Sequence, residues 1–179
     1  MKTDLKISKV VLSEEEIQTR IHDLAESLNE LYGDEEVIVI GVLKGCFVFM
    51  ADLIRKLTCD AQVYFIEISS YGSGTKSSGN ITIKKGLDVD IEGKHVLIAE
   101  DIVDSGNTLN QLTAILREKR PKSLTVCTLL NKPSRREVDF DPDYTGFVIP
   151  DKFIVGYGLD YAGRFRQLPY IAEVELENE

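Results

Sequence analysis

The sequence predicts an α/β fold, with a mainly parallel sheet flanked by helices. Three observations predict it. Apolar runs of the kind found in buried parallel strands occur at Val37–Val42, Val96–Ala99 and Ser123–Leu130. The first two runs each lead through a short Gly-containing turn into a helical pattern. The third ends in a basic turn, Asn131-Lys-Pro-Ser-Arg-Arg136, stiffened by Pro133. If the strands are parallel, all three turns open at one sheet edge, which is where open α/β sheets bind ligands.

At 179 residues the chain has the length of one domain, large enough for a real core. It is 43% hydrophobic and 28% charged, as expected of a soluble globular protein. No apolar run reaches membrane-spanning length, and the N-terminus has no secretory pattern. Cys46, Cys59 and Cys127 have no metal-type spacing and read as reduced thiols of a cytoplasmic protein. His22 and His95 are the only histidines, which speaks against a histidine metal site or catalytic triad. The net charge of −9 speaks against general nucleic-acid binding.

Residues 4–12 carry a strand pattern around Ile7 and Val10. Ser13-Glu-Glu-Glu16 is a capping box, followed by Ile17, Ile21, Leu24, Leu28 and Leu31 at helical spacing, with Gly33 as the stop. His22 lies beside that stripe and reads as packed or solvated. After Val37–Val42 comes Leu43-Lys-Gly-Cys46, then helical spacing through Phe49, Leu53, Ile54 and Leu57. In isolation this is a plain strand–helix turn with a solvated lysine.

Residues 61–69 alternate as a strand, with Val63, Phe65 and Glu67 on one side and Tyr64, Ile66 and Ile68 on the other. Ser70 to Asn80 is a Gly/Ser-rich loop, long for a plain hairpin tip, and residues 81–85 return as a strand. Residues 88–93 form a polar turn.

The stretch Val96–Leu109 organises the chain. Its strand ends on Glu100 and Asp101, Asp104 follows, and Ser105-Gly-Asn-Thr108 turns the chain into a helix from near Leu109 to about Lys119, ended by Pro121. The carboxylates therefore sit at the carboxyl end of a strand, and the hydroxyls sit at a helix N-terminus. Free N–H groups and the positive dipole end favour a phosphate there, and Gly106 lets the backbone approach it. Adjacent carboxylates can accept hydrogen bonds from vicinal ribose hydroxyls or hold hydrated Mg²⁺. Acids beside a phosphate cradle suit a sugar phosphate. After the basic turn, residues 147–149 read as a short strand, and the acidic end from Glu173 frays.

Val96–Leu109 closely resembles the signature of the purine phosphoribosyltransferases, which in that family binds the ribose 5-phosphate of phosphoribosyl pyrophosphate. Motifs from Leu43 to Arg166 follow in the family's order. The resemblance implies a type I phosphoribosyltransferase fold in one domain over residues 1–179. Its core would span about 10–150, with a small hood from the N-terminal segment and about 151–179.

The implied activity is a purine-salvage transfer of 5-phosphoribosyl to N9 of hypoxanthine and/or guanine, releasing pyrophosphate. Leu43, Lys44, Gly45, Glu100, Asp101, Asp104, Ser105, Gly106, Asn107, Thr108 and Arg166 would bind phosphoribosyl pyrophosphate, with Asp104 also the catalytic base. Lys132, Lys152, Phe153, Ile154 and Asp160 would bind the purine. Lys132 would donate to the 6-oxo group, Phe153 would stack, and backbone groups of Lys152 and Ile154 would meet the base's edge. Ser70 and Tyr71 would begin a lid. Glu100, Asp101 and Asp160 would hold Mg²⁺, Asp160 through water. The family likeness also implies a homodimer or homotetramer without nucleic-acid or membrane partners. The competing readings are a non-enzymatic regulator on the same scaffold and a transferase for another acceptor such as xanthine.

Overall fold

The computed structural model describes residues 5–70, 81–85 and 87–176. In chain order the elements are β1 (Leu5–Leu12), α1 (Glu14–Tyr32), β2 (Glu36–Leu43), α2 (Phe47–Ile54), β3 (Asp60–Ser70) and β4 (Ile81–Lys85). Then follow β5 (His95–Val103), α3 (Asn107–Glu118), β6 (Ser123–Asn131), β7 (Tyr144–Val148), β8 (Ile154–Val155) and β9 (Ile171–Leu176). One sheet has the order β4-β3-β2-β5-β6-β7. Its pairings are parallel except β3–β4, which is antiparallel at the edge. A separate antiparallel sheet, β1-β9-β8, forms the hood.

The pleat divides the core. Val37, Val39, Leu97 and Ala99 face α1 and α2, while Ile38, Ile40, Val96 and Ile98 face α3 through Leu109, Leu112 and Leu116. A strand buried on both faces needs apolar residues at every position, which is why these runs do not alternate. Where α2 leaves β3 uncovered, alternation returns: Ile66 is buried, whereas Val63 and Phe65 are exposed. No helix among the described residues is long and apolar enough to cross a membrane.

The capping box forms as expected: Glu16 N donates to Ser13 Oγ at 3.3 Å, and Ser13 N donates to Glu16 Oε2 at 2.8 Å. Leu31, expected on the apolar stripe, is exposed, and Tyr32 takes the inward position. The helix repeat from Leu28 reaches either residue, and packing of Tyr32 edge-on to His95 decides between them. Leu57 lies beyond α2, because the chain tightens into i→i+3 bonds from Lys56 to Leu53 and Leu57 to Ile54. α3 begins at Asn107, two residues before the apolar pattern announces it. The strand expected at 147–149 is β7, displaced to Tyr144–Val148 by its pairing with Cys127–Asn131.

Candidate active site

The parallel register aligns the carboxyl ends of β2, β5 and β6 beneath the hood. Between them lies a cleft of about 430 Å³, lined by Leu43, Lys44 and Gly45 after β2, the acids of β5, Lys132 after β6, and hood residues Phe153, Ile154, Asp160 and Arg166. A smaller hollow of about 150 Å³, lined by Ser105, Gly106 and Thr108, shares Glu100 and Asp104 with the cleft. Gly106, at φ +83°, is the N-cap of α3. A Cβ there would lie 2.9 Å from Arg136 Cδ, so the turn needs glycine for both conformation and space.

β5 runs through the acidic pair to Val103, so Glu100 and Asp101 belong to the strand rather than following it. The pleat sends them to opposite faces, Glu100 towards the smaller hollow and Asp101 towards Gly45. Both are buried. Burial first, and the neighbouring Asp101 second, hold the Glu100 carboxyl well above the usual carboxylate range. Glu100 Oε2 has no hydrogen-bond partner. An uncompensated buried carboxylate is expensive, and it is an acceptor waiting for a hydroxyl or a cation.

This predicts a pH-dependent variant. A raised folded-state pKa gives stability that is present below the unfolded carboxylate value and lost as pH rises through the folded one. Glu100→Gln removes that loss. Its melting temperature should exceed the parent's at pH 8, by about 2–4 °C per kcal/mol recovered, and converge with it near pH 4.5. Thermal melts across that range check it; a parallel offset at all pH values contradicts it.

Asp104 is half-exposed, and Arg135 Nε meets its Oδ1 at 2.9 Å. Arg135 also reaches Asp151 of the hood at 3.3 Å. Arg136 Nη1 donates to the Asp104 carbonyl at 2.6 Å and pins the turn from below. Asp104 raises the Arg135 pKa, with help from Asp151. Neither arginine was singled out as a site residue by its sequence position; the cationic run 135–136 was the only signal.

Lys132 is buried, and its Nζ donates to the Lys152 carbonyl at 2.7 Å, which leaves two N–H donors. The Lys152 side chain turns outward to Glu173 at 2.7 Å, and Lys152 is not part of the cleft wall. Its carbonyl, expected on a ligand edge, is here engaged by Lys132. Phe153 is 54% exposed and packs edge-on to Tyr161 at 5.6 Å, leaving ring surface for stacking. Asp160 lines the cleft with both oxygens engaged, one by Arg166 Nη2 at 2.6 Å and one by Gly163 N at 2.7 Å. Asn107 lines neither hollow; its Nδ2 donates to Glu137 at 2.6 Å.

The Leu43–Lys44 peptide is cis. Ser70 ends β3 opposite Ile81, while Tyr71 and the rest of the expected lid lie outside the described residues. His22 is exposed beside Glu26 and does not line the cleft. Among the described residues no three His, Cys, Asp or Glu side chains form a metal cluster. The Glu100–Asp101 pair nonetheless suits a cation that keeps several non-protein oxygens, as Mg²⁺ does.

Residues 10–162 match the phosphoribosyl transferase domain family. The chain is 51% identical over 173 residues to the hypoxanthine phosphoribosyltransferase of Salmonella typhimurium, covering 96% of this chain and 97% of that one. It is 50% identical to the hypoxanthine-guanine phosphoribosyltransferase of Bacillus subtilis, covering 92% of each. A crystal structure of a hypoxanthine-guanine phosphoribosyltransferase from Bacillus anthracis superposes with a TM-score of 0.90 at 45% identity, covering 96% of this chain and 100% of that one.

Proposed function

The chain belongs to the phosphoribosyltransferase family, and from that premise we propose a role for each wall of its cleft. The protein is a purine-salvage hypoxanthine-guanine phosphoribosyltransferase. It transfers 5-phosphoribosyl from phosphoribosyl pyrophosphate to N9 of the base. The single observation that carries the assignment of walls is the meeting of three unlike groups in one cleft: a buried lysine donor, an open aromatic face and a pair of buried acids, of which Glu100 Oε2 has no partner.

The 5-phosphate sits in the hollow of Ser105, Gly106 and Thr108, at the N-terminus of α3, whose first N–H groups lack intrahelical partners. The Asn107 side chain is engaged by Glu137 and its N–H donates to Ser105 Oγ at 3.3 Å, so Asn107 reaches the phosphate only through its backbone and once that bond gives way. Glu100 and Asp101 would hold the ribose hydroxyls and Mg²⁺; Glu100 Oε2, buried and unpartnered, fits both. When bound, the ion supplies positive charge to the pyrophosphate. Asp160, whose oxygens are engaged by Arg166 and Gly163 N, would help hold the ion. Leu43, Lys44, Gly45 and Arg166 hold the pyrophosphate, which answers how a chain of net charge −9 binds so anionic a substrate.

Phe153 stacks on the base, with Ile154 at its edge; the Lys152 backbone, its N–H donated to the Pro150 carbonyl and its own carbonyl engaged by Lys132, joins them once those bonds give way. Lys132 donates to the 6-oxo group; adenine's 6-amino group would leave that buried donor unpaired. The C1–pyrophosphate bond breaks with oxocarbenium character, N9 bonds to C1, and the N7 proton passes to Asp104. Ser70 and Tyr71 open the lid that excludes water.

Residues 1–179 form one domain, with its core over about 10–150. Three buried free cysteines agree with the cytoplasm. Exposed Phe47, Val63 and Phe65 agree with a homodimer or homotetramer, which sedimentation would count.

The test is pyrophosphate release with Mg²⁺, phosphoribosyl pyrophosphate and hypoxanthine, guanine, xanthine or adenine in turn. Release with hypoxanthine and guanine but not adenine is expected, and the xanthine rate fixes the 2-position tolerance. Equal rates with adenine would remove Lys132 from the selector role.

A further inference from the structure

Tyr157 occupies an unusual place for an aromatic residue. Its φ is +50°, between Gly156 at +100° and Gly158 at +96°. An aromatic residue in the left-handed region persists only where its surroundings over-determine it. Here they do: Tyr157 N donates to the Leu168 carbonyl at 2.9 Å, and only 3% of the residue is exposed. Its hydroxyl crosses from the hood to the large domain layer, donating to Asp52 Oδ2 on α2. Gln18 of α1 braces both partners, at 2.7 Å from Asp52 Oδ2 and 3.1 Å from the Tyr157 hydroxyl. Arg55 ion-pairs with the other Asp52 oxygen. Burial and the Asp52 carboxylate both hold the phenol above its ordinary pKa, so it stays a donor throughout the neutral range.

The residue after Tyr157 rests on the turn that leads into α2. A Cβ on Gly158 would lie 2.1 Å from the Gly45 carbonyl oxygen, so the two backbones are in direct contact. The Gly158 carbonyl in turn accepts from Arg166 Nη1 at 2.6 Å. Gly45 is joined through Cys46 to α2, and α2 carries Asp52. A closed ring results: Gly45, α2, Asp52, Tyr157, Gly158 and back to Gly45. Phe153 and Ile154 lie outside it, held by β8–β9 pairing.

We propose that Tyr157 and Asp52 are positioning residues that clamp the Gly158–Arg166 arm of the hood onto the Leu43–Gly45 turn, setting the pyrophosphate half of the cleft independently of the base half. The inference rests on the reading of the cleft given above. Opening the ring at the phenol lets Gly158 and Arg166 drift from Gly45 while the stacking wall stays in place. The two substrates therefore feel the change unequally.

Steady-state kinetics on the full chain test this. Tyr157→Phe keeps the ring's packing and loses the hydroxyl. It should raise KM for phosphoribosyl pyrophosphate about tenfold, the size of one lost hydrogen bond to a charged group, and move KM for hypoxanthine less than about twofold. Asp52→Asn keeps an acceptor and should stay near the parent. Asp52→Leu should match Tyr157→Phe, and the double variant should be no worse than either single one. Should Tyr157→Phe fail to fold, Asp52→Ser removes the same acceptor from the rim of α2 and must give the same split. Equal rises in both KM values, a fall in melting temperature with neither KM moved, or additive single effects would overturn the clamp. An inactive parent protein would instead overturn the assigned function.

Discussion

Asp104→Asn lowers kcat by about 10²–10⁴-fold, the usual worth of a general acid–base group, with the fold intact. Asparagine has the shape of aspartate but cannot take the N7 proton at neutral pH. The backbone bond from Arg136 to the residue-104 carbonyl does not depend on the side chain and survives. What is lost structurally is the ion pair to Arg135, and both partners are 48% exposed. Such a pair contributes about 0–1 kcal/mol, so melting temperature barely moves. KM for both substrates should also hold, because the proton moves only in the transition state. Single-turnover measurement of nucleotide formation separates chemistry from product release. Turnover unchanged from the parent would remove Asp104 from the role of base.

Gly45→Ala lowers kcat/KM for phosphoribosyl pyrophosphate by about 10²-fold, the cost of a misplacement near 1 Å. A Cβ at position 45 would stand 1.6 Å from Asp101 Oδ2 and 2.5 Å from its carboxyl carbon. Asp101 cannot yield cheaply, since it is buried and its Oδ1 accepts from Ile102 N at 3.0 Å. The turn cannot retreat either, because Gly158 blocks the Gly45 carbonyl from behind. The substitution therefore drives the turn and the ribose carboxylate apart. Far-UV circular dichroism should match the parent, and KM for hypoxanthine should move little. An unchanged kcat/KM for phosphoribosyl pyrophosphate would show that neither group holds it.

Elements buried on both faces were the most legible in the sequence. β2 and β5 show themselves through unbroken apolar runs and β6 through a run broken only by small buried threonines, and α1 announces its start through a local capping box. That Glu100 to Thr108 line adjoining hollows was legible too, because they are neighbours in the chain. Contacts made at long range were not. Arg135 reaches Asp104 across thirty-one positions, and the direction of the Asn107 side chain is set by Glu137. The Lys132–Lys152 bond joins two loops that only the fold brings together. β7 is half-buried along most of its length, so no clean alternation marks its ends, and its partner strand fixes them. The partner of the Tyr157 hydroxyl, Asp52, lies over a hundred positions away, and only the fold brings the two together.

The hood sheet is assembled from opposite ends of the described chain: Leu5 pairs with Leu176, and Leu12 with Ile171. All six strands of the large sheet lie between those segments. Contacts that close so long a loop form late, because the entropy of closure must be met before they reward it. On the ribosome the order is stricter still, since β9 emerges after every strand of the large sheet. The carboxyl edge of β2, β5 and β6 can thus be in place while β1 still waits for its partner. The hood wall of Phe153 and Ile154, to which we assign stacking on the base, is the last to be finished, so a nascent chain cannot complete it before translation has passed β9.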